Sequence, residues 1–316
     1  MSAVDPGTLP DRRLWFGLLC LAGGIAVFWL ATAAEAAPGV ALLVFWALMS
    51  GGAVLVATHV ARWVGAALPL ALGATILGVW EMAVHIYDIS PVILPAPSSI
   101  AAAFAANTDI LWADFVQTIL RGALVGYVLG CGAAILTALA IDRSVFLQKG
   151  LLPVGNFIAA LPIVGTAPIL VMWYGFGPSS KVAVVVAMVF FPMLVNAVQG
   201  LKTSNAIQRD LMHTYAASYG QTLVKLRLPT ALPFLFNGLK ICTTLALIGA
   251  IVAEFFGSPT VGMGFRIKIE VGRLAMDMVW AEITVAALAG SGLYGLMALL
   301  ERRLTFWHPS QRRLRA

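Results

Sequence analysis

The chain has 316 residues, 60% of them hydrophobic and 11% charged, with a mean hydropathy of +0.92. Soluble domains carry about 25% charged residues, so a water-soluble globular protein is excluded. At roughly 20 apolar residues per membrane span, the length accommodates about eight helices and leaves no room in this sequence for a fused catalytic or ATP-binding domain. In such a protein the net charge of +6 and pI near 9.5 report orientation rather than affinity for nucleic acid.

Uninterrupted apolar stretches predict helices at Leu14 to Ala34, Val40 to Val60, Leu68 to Ile86, Arg121 to Ile141, Asn156 to Tyr174, Val182 to Val198, Phe234 to Phe256 and Met278 to Leu300. The first follows Arg12 and Arg13 and ends near Ala34-Glu35-Ala36, which resembles a secretory cleavage site; the run exceeds the ~7 to 15 residues of a signal core, so a retained span is expected. The third carries Glu81 and His85, one helical turn apart and placed to bond each other. With both termini cytoplasmic, Arg62, Arg143, Lys149, Lys202, Arg209, Lys225, Arg227 and the terminal arginines fall inside, whereas Arg121, Lys181, Arg266, Lys268 and Arg273 fall outside. The positive-inside rule selects this orientation. Residues 87–117 then form an outer segment with Asp88, Asp109 and Asp114 but no Lys or Arg.

The fourth span repeats small residues at intervals of four, Gly122, Gly126, Gly130, Ala134 and Ala138, a seam that admits a second backbone either within the chain or across a subunit interface. Pro162, Gly165 and Pro168 interrupt the fifth span, and Pro192 and Asn196 the sixth. Prolines free backbone carbonyls that lipid cannot satisfy, which predicts a broken helix in the bundle interior. Either Pro162, Gly165, Pro168, Asn196 and Glu254 line a translocation path, or these are bent helices with locally satisfied groups. An acid at mid-bilayer costs about 2.5 to 3.5 kcal/mol, so Glu254 and Glu282 are expected to reach water near the outer ends of their spans. Cys20, Cys131 and Cys242 lie in apolar runs without metal or redox spacing, and His59, His85, His213 and His308 are dispersed; no metal site is expected.

The inner stretch from Leu201 to Pro233 is longer and more polar than a helical hairpin needs. Ile207, Leu211 and Tyr215 at spacing four, then Leu223 and Leu226 after a break at Ala216 to Gly220, predict two short amphipathic surface helices joined by a bend. The stretch GFGPSSK at Gly175 has Ser180 and Val182 where a phosphate loop needs Gly and Ser or Thr, and is a chance match.

In this inner stretch the spacing Asp210-Leu211-Met212, Ala216, Leu226, Leu228-Pro229 resembles the cytoplasmic signature of binding-protein-dependent ABC importer permeases: Glu-Ala-Ala, three residues, Gly, nine residues, Ile, one residue, Leu-Pro. Here the acid is Asp, the alanines are larger, and Ala216 replaces Gly, so Gly220 is expected to supply the turn. LPAPSSI at Leu94, LPIVGTAPILVMWYGFGPSSK at Leu161, FFPMLVNAVQGL at Phe190, AEFF at Ala253 and GMG at Gly262 extend the resemblance, which is strongest to the nitrate, taurine and sulfonate type. It implies an all-α polytopic membrane protein with a six-helix type I permease core at 68–300, preceded at 1–67 by a tail and two additional helices and followed at 301–316 by a basic cytoplasmic tail.

The resemblance further implies coupling through Asp210, Leu211, Met212, Ala216, Gly220, Leu226, Leu228 and Pro229 to two separate ATP-binding cassette subunits, which would hold ATP and Mg; the permease itself would be no enzyme and bind no cofactor. A periplasmic or lipid-anchored binding protein would deliver the cargo, and a second permease copy would complete a homodimer in the bacterial inner membrane. Relatives of this type are associated with nitrate, taurine, sulfonates, thiamine precursors and riboflavin. The alternative from the residues alone is a proton-coupled secondary transporter using Glu81, His85 and Glu254, for which inverted repeats would be expected and none is visible.

Overall fold

The structure is a computed structural model that describes residues 17, 19, 20, 22–27, 44–52, 67–144, 146, 150, 155, 162–257 and 260–307. The first two predicted spans and the start of the fifth fall largely outside these residues. All regular structure among the described residues is helical, without a strand. The chain divides into two units, Met1–Ala106 with Leu274–Met278, and Asn107–Arg273 with Val279–Ala316.

In the first unit, a carboxylate of α1 (Ala67–Ile86) bonds the start of α2 (Pro97–Ala106). Glu81 accepts hydrogen bonds from the Ser98 backbone N–H (2.9 Å) and hydroxyl (2.6 Å), and its other neighbour is His85 Nε2 at 3.0 Å. Pro97 opens α2, where its missing N–H costs no helical bond.

The second unit contains α3 (Thr108–Asp142), α4 (Ile163–Tyr174), α5 (Pro178–Lys202), α6 (Ala206–Thr214), α7 (Tyr219–Gly257) and α8 (Met263–Gly272), together with most of α9 (Met276–Leu304). Four of the described helices, α3, α5, α7 and α9, are long and apolar enough to cross a membrane by length and composition; Leu72–Ile86, Pro97–Ala106 and Val164–Tyr174 are shorter apolar helices. Two π-helical stretches widen the long helices, Val116–Ala123 in α3 and Leu223–Arg227 in α7.

Helix α5 is the axis of the core. Its Val185, Val189, Met193, Leu194, Ala197, Val198 and Leu201 are enclosed by Ala123, Cys131, Ala134, Ala138 and Ile141 of α3 on one side and by Ala231, Cys242, Ala246 and Ala250 of α7 on the other. Small residues on the flanking helices let backbones close on the branched side chains of α5. A Cβ added at Gly126 would stand 2.5 Å from Val185 Cβ, and one at Gly130 would collide with Val189 Cγ2; at Gly122 the nearest atom is Ala250 Cβ at 3.6 Å. In lipid, where apolar surface gains nothing by leaving the solvent, such close contact supplies the association energy.

Three expectations are corrected here. Helix α3 starts at Thr108, not near Arg121, so Asp109 and Asp114 belong to this helix. The predicted fifth span is described only from Pro162, which caps α4 with extended backbone (φ −69°, ψ 113°), so the helix from Ile163 is shorter than expected and Pro168 is the proline inside it. The second amphipathic stretch is no separate surface helix: from Tyr219 it runs without a break into α7.

Candidate functional site

Two polar assemblies occupy opposite ends of α7. At its N-terminal end, α6 and the start of α7 are each fixed by a reciprocal cap. Asn205 Oδ1 accepts from Ile207 N (3.1 Å) while Asn205 N donates to Gln208 Oε1 (3.4 Å); Ser218 Oγ accepts from Gln221 N (3.3 Å) while Ser218 N donates to Gln221 Oε1 (2.9 Å). Between the caps the chain reverses at Ala216, whose φ of +50° is left-handed. The bend therefore falls at the position where the family signature has Gly; Gly220 lies inside the first turn of α7 and does not make it.

Helix α6 buries no residue. Ile207, Leu211 and Tyr215 stand 74%, 55% and 77% exposed, an apolar ridge left open among the described residues. Asp210 is exposed beside it, Met212 is half-buried, and Leu226, Leu228 and Pro229 are half-buried at the root of α7. The spacing between signature positions thus separates an exposed group on α6 from a packed one on α7.

Sequence reasoning missed the residue that ties this segment down. Arg227 Nη1 and Nη2 each lie 2.5 Å from an oxygen of Asp142, the last residue of α3, and Nε and Nη2 also donate to the Leu201 carbonyl near the end of α5 (3.2 and 3.0 Å). Tyr219 donates to Asp142 Oδ2 (2.6 Å), and the Arg143 guanidinium sits over the Tyr219 ring at 4.9 Å. The partners are too distant in sequence for spacing to reveal them.

At the C-terminal end of α7, the Glu254 carboxylate is held by Thr118 Oγ1 (2.6 Å) and Gly264 N (3.1 Å), with Lys181 Nζ 3.8 Å away. Thr118 Oγ1 in turn accepts from Met263 N (2.8 Å), and Asp114 accepts from Gly262 N (2.6 Å) and Arg266 Nε (2.9 Å). The first turn of α8, whose amides have no helical acceptor, is thereby bonded to α3 and α7. Glu254 and Glu282, expected to reach water, are 1% and 0% exposed; Asp114 adjoins Glu282. The reason is that three sequence-distant segments fold over them.

Of the remaining path candidates, Gly165 is exposed and Pro168 half-buried. The Asn196 amide donates to Pro192 O (2.8 Å), and its carbonyl accepts from Asn237 Nδ2 (3.1 Å) on α7. Lys240 pairs with Glu301 across α7 and α9 at 2.8 Å. Among the described residues no group of three or more His, Cys, Asp or Glu side chains is arranged to hold a metal ion.

Residues 126–306 match the family model described as "Binding-protein-dependent transport system inner membrane component", more than half of the chain. The chain belongs to this family. It is 32% identical over 251 residues to the riboflavin transport system permease protein of Chloroflexus aurantiacus, covering 79% of this chain and 92% of that one. It is 30% identical over 229 residues to a probable ABC transporter permease protein of Haemophilus influenzae (72% and 91%) and 29% identical over 233 residues to the formylaminopyrimidine transport permease protein of Halalkalibacterium halodurans (74% and 92%). The resemblance to the nitrate, taurine and sulfonate type holds, since taurine and aliphatic sulfonate permease proteins are also similar. Membership, with the apolar helices, makes this a polytopic helical membrane protein with a type I permease domain.

Proposed function

We propose that this permease is the membrane-spanning subunit of an ATP-driven importer of a small organic or anionic nutrient, delivered by a periplasmic or lipid-anchored binding protein. It works as a homodimer with two ATP-binding cassette subunits docked on the cytoplasmic ridge of α6, both termini facing the cytoplasm. ATP and Mg reside on those partners, and this chain breaks no bond of its own. The observation that carries the reading is the uncovered ridge Ile207, Leu211 and Tyr215 on a helix capped at its start and followed by a left-handed bend at Ala216. An exposed apolar ridge flanked by Asp210 and Arg209 is what a cleft on a partner recognises.

Nucleotide does work here only by binding one conformer better than the other, and reversing a 1:99 population takes about 5.5 kcal/mol of differential binding. Two ATP sites supply this; the ridge conveys it. Pro162, Gly165, Pro168, Asn196 and Glu254 are the proposed path residues, with Asn237 beside Asn196. The proton-driven alternative has less support, because Glu81 is engaged by Ser98 and His85, and Glu254 by Thr118 and Gly264.

The test is co-purification of the ATPase subunit with Leu211→Asp/Tyr215→Asp permease. Both positions are exposed, so folding is retained, and the ATPase is expected to be lost. Retention of the ATPase at the level of the unsubstituted chain overturns the reading.

A further inference from the structure

From the Asp142–Arg227 geometry we infer that Arg227 is a positioning residue for coupling: it fastens the ridge segment to the ends of α3 and α5, so that movement of the ridge is transmitted to those two helices as well as to α7. The inference rests on the proposed function and adds the route of transmission inside the permease.

Covalently, α6 leads only from α5 and into α7, and nothing in the chain path links the ridge to α3. Arg227 makes that link. Its guanidinium uses Nη1 and Nη2 on the two oxygens of Asp142 and Nε and Nη2 on the Leu201 carbonyl, so one planar group spans the ends of two helices while belonging to a third. A fork engaged on both oxygens resists rotation as well as separation, which a single ammonium contact does not. The pair is shielded, with side-chain exposures of 13% and 9%, so water competes weakly for it. Tyr219, at the first turn of α7, adds a second bond to the same carboxylate, and Arg143 covers its ring.

The covalent route through α7 meanwhile contains an irregular turn. Arg227 ends the π-helical stretch Leu223–Arg227, where the wide turn interrupts the regular ladder between the ridge and the membrane span. Force entering at α6 meets this irregular turn along the chain and the bidentate clamp across it. The clamp holds the segment against α3 and α5, the pair whose contact forms one side of the core.

The experiment uses the complex purified with its ATPase subunits, in a background with Cys20, Cys131 and Cys242 replaced. Spin labels at His213→Cys on α6 or Leu136→Cys on α3, both exposed positions, report the distance between the two permease copies without nucleotide and with MgATP plus vanadate. In the otherwise unsubstituted chain both distances shift. In Asp142→Asn and in Arg227→Leu the α6 distance is expected still to shift while the α3 shift is lost; Tyr219→Phe, which keeps the guanidinium fork, retains both. An α3 shift that persists in both clamp variants overturns the inference and leaves the proposed function standing. Absence of any α6 shift in the unsubstituted chain overturns the proposed function, and this inference with it. Should Asp142→Asn fail to assemble with the ATPase, Arg227→Lys, which keeps the charge and loses the fork, decides by the same two distances.

Discussion

Thr118 donates a 2.6 Å hydrogen bond to the Glu254 carboxylate across 136 positions of sequence. The same hydroxyl accepts the Met263 amide at 2.8 Å, so one side chain joins α3, α7 and the start of α8. Thr118→Val keeps the shape but removes both bonds, leaving a buried amide without an acceptor. Stability is expected to fall by about 1 to 3 kcal/mol, the desolvation cost of an unsatisfied buried group, and Thr118→Ser to recover most of it. Thermal unfolding of the purified permease in detergent, comparing the three chains, checks this.

The glycines at 262 and 264 are demanded by the end of α7, the first by the Glu254 carboxylate and the second by α7 backbone. Gly262 has φ +132°, and a Cβ there would stand 2.5 Å from Glu254 Cδ; a Cβ at Gly264 would run into the Ile251 carbonyl oxygen. Gly264→Ala is expected to cost at least the ~1 to 3 kcal/mol of an overpacked site, with the backbone of α8 pushed off α7. Gly272→Ala on the same helix meets nothing within 4 Å and serves as the neutral comparison. Equal melting temperatures for the two variants would contradict the packing described here.

What the sequence made legible, and what it hid, divides along the range of the interactions. The apolar runs that became α5, α7 and α9 and the spacing of Ile207, Leu211 and Tyr215 are local signals, and the structure contains a helix at each. Asp114 and Thr118 were opaque because their partners, Gly262, Met263 and Arg266, lie 145 to 152 residues away, and a polar residue satisfied at that distance looks the same as one in a loop. Burial of Glu254 and Glu282 was hidden for the same reason. Position 216 is a different case: alanine carries no local mark of a left-handed backbone, so the sequence points to Gly220 for the turn that Ala216 makes.

That bend makes a separate prediction. An L-residue in the left-handed region costs about 1 to 2 kcal/mol, whereas glycine adopts it freely but loses more entropy on folding, by about 0.5 to 1 kcal/mol. Ala216, at φ +50°, is exposed, so its methyl group contributes little buried surface. Ala216→Gly is therefore expected to stabilise the permease by up to about 1 kcal/mol with ATPase association unchanged, and Ala216→Val to destabilise it, β-branching being poorly tolerated there. Melting temperatures ordered Gly, Ala, Val from high to low would bear this out; the reverse order would place the bend elsewhere.

Lys240 and Glu301 pair at 2.8 Å between α7 and α9, with side chains only 18% and 13% exposed. Deep ion pairs are poor sources of net stability because both charges give up water, yet removing one partner strands the other. Lys240→Met alone and Glu301→Leu alone, each of which strands the other charge, are accordingly expected to cost about 3 to 5 kcal/mol before any relief from lysine reaching the lipid headgroups, whereas the two together cost far less. A double-mutant cycle on thermal stability measures the difference directly. If the double variant is as unstable as the sum of the singles, the two side chains do not depend on each other, and α9 is held to α7 by apolar packing alone.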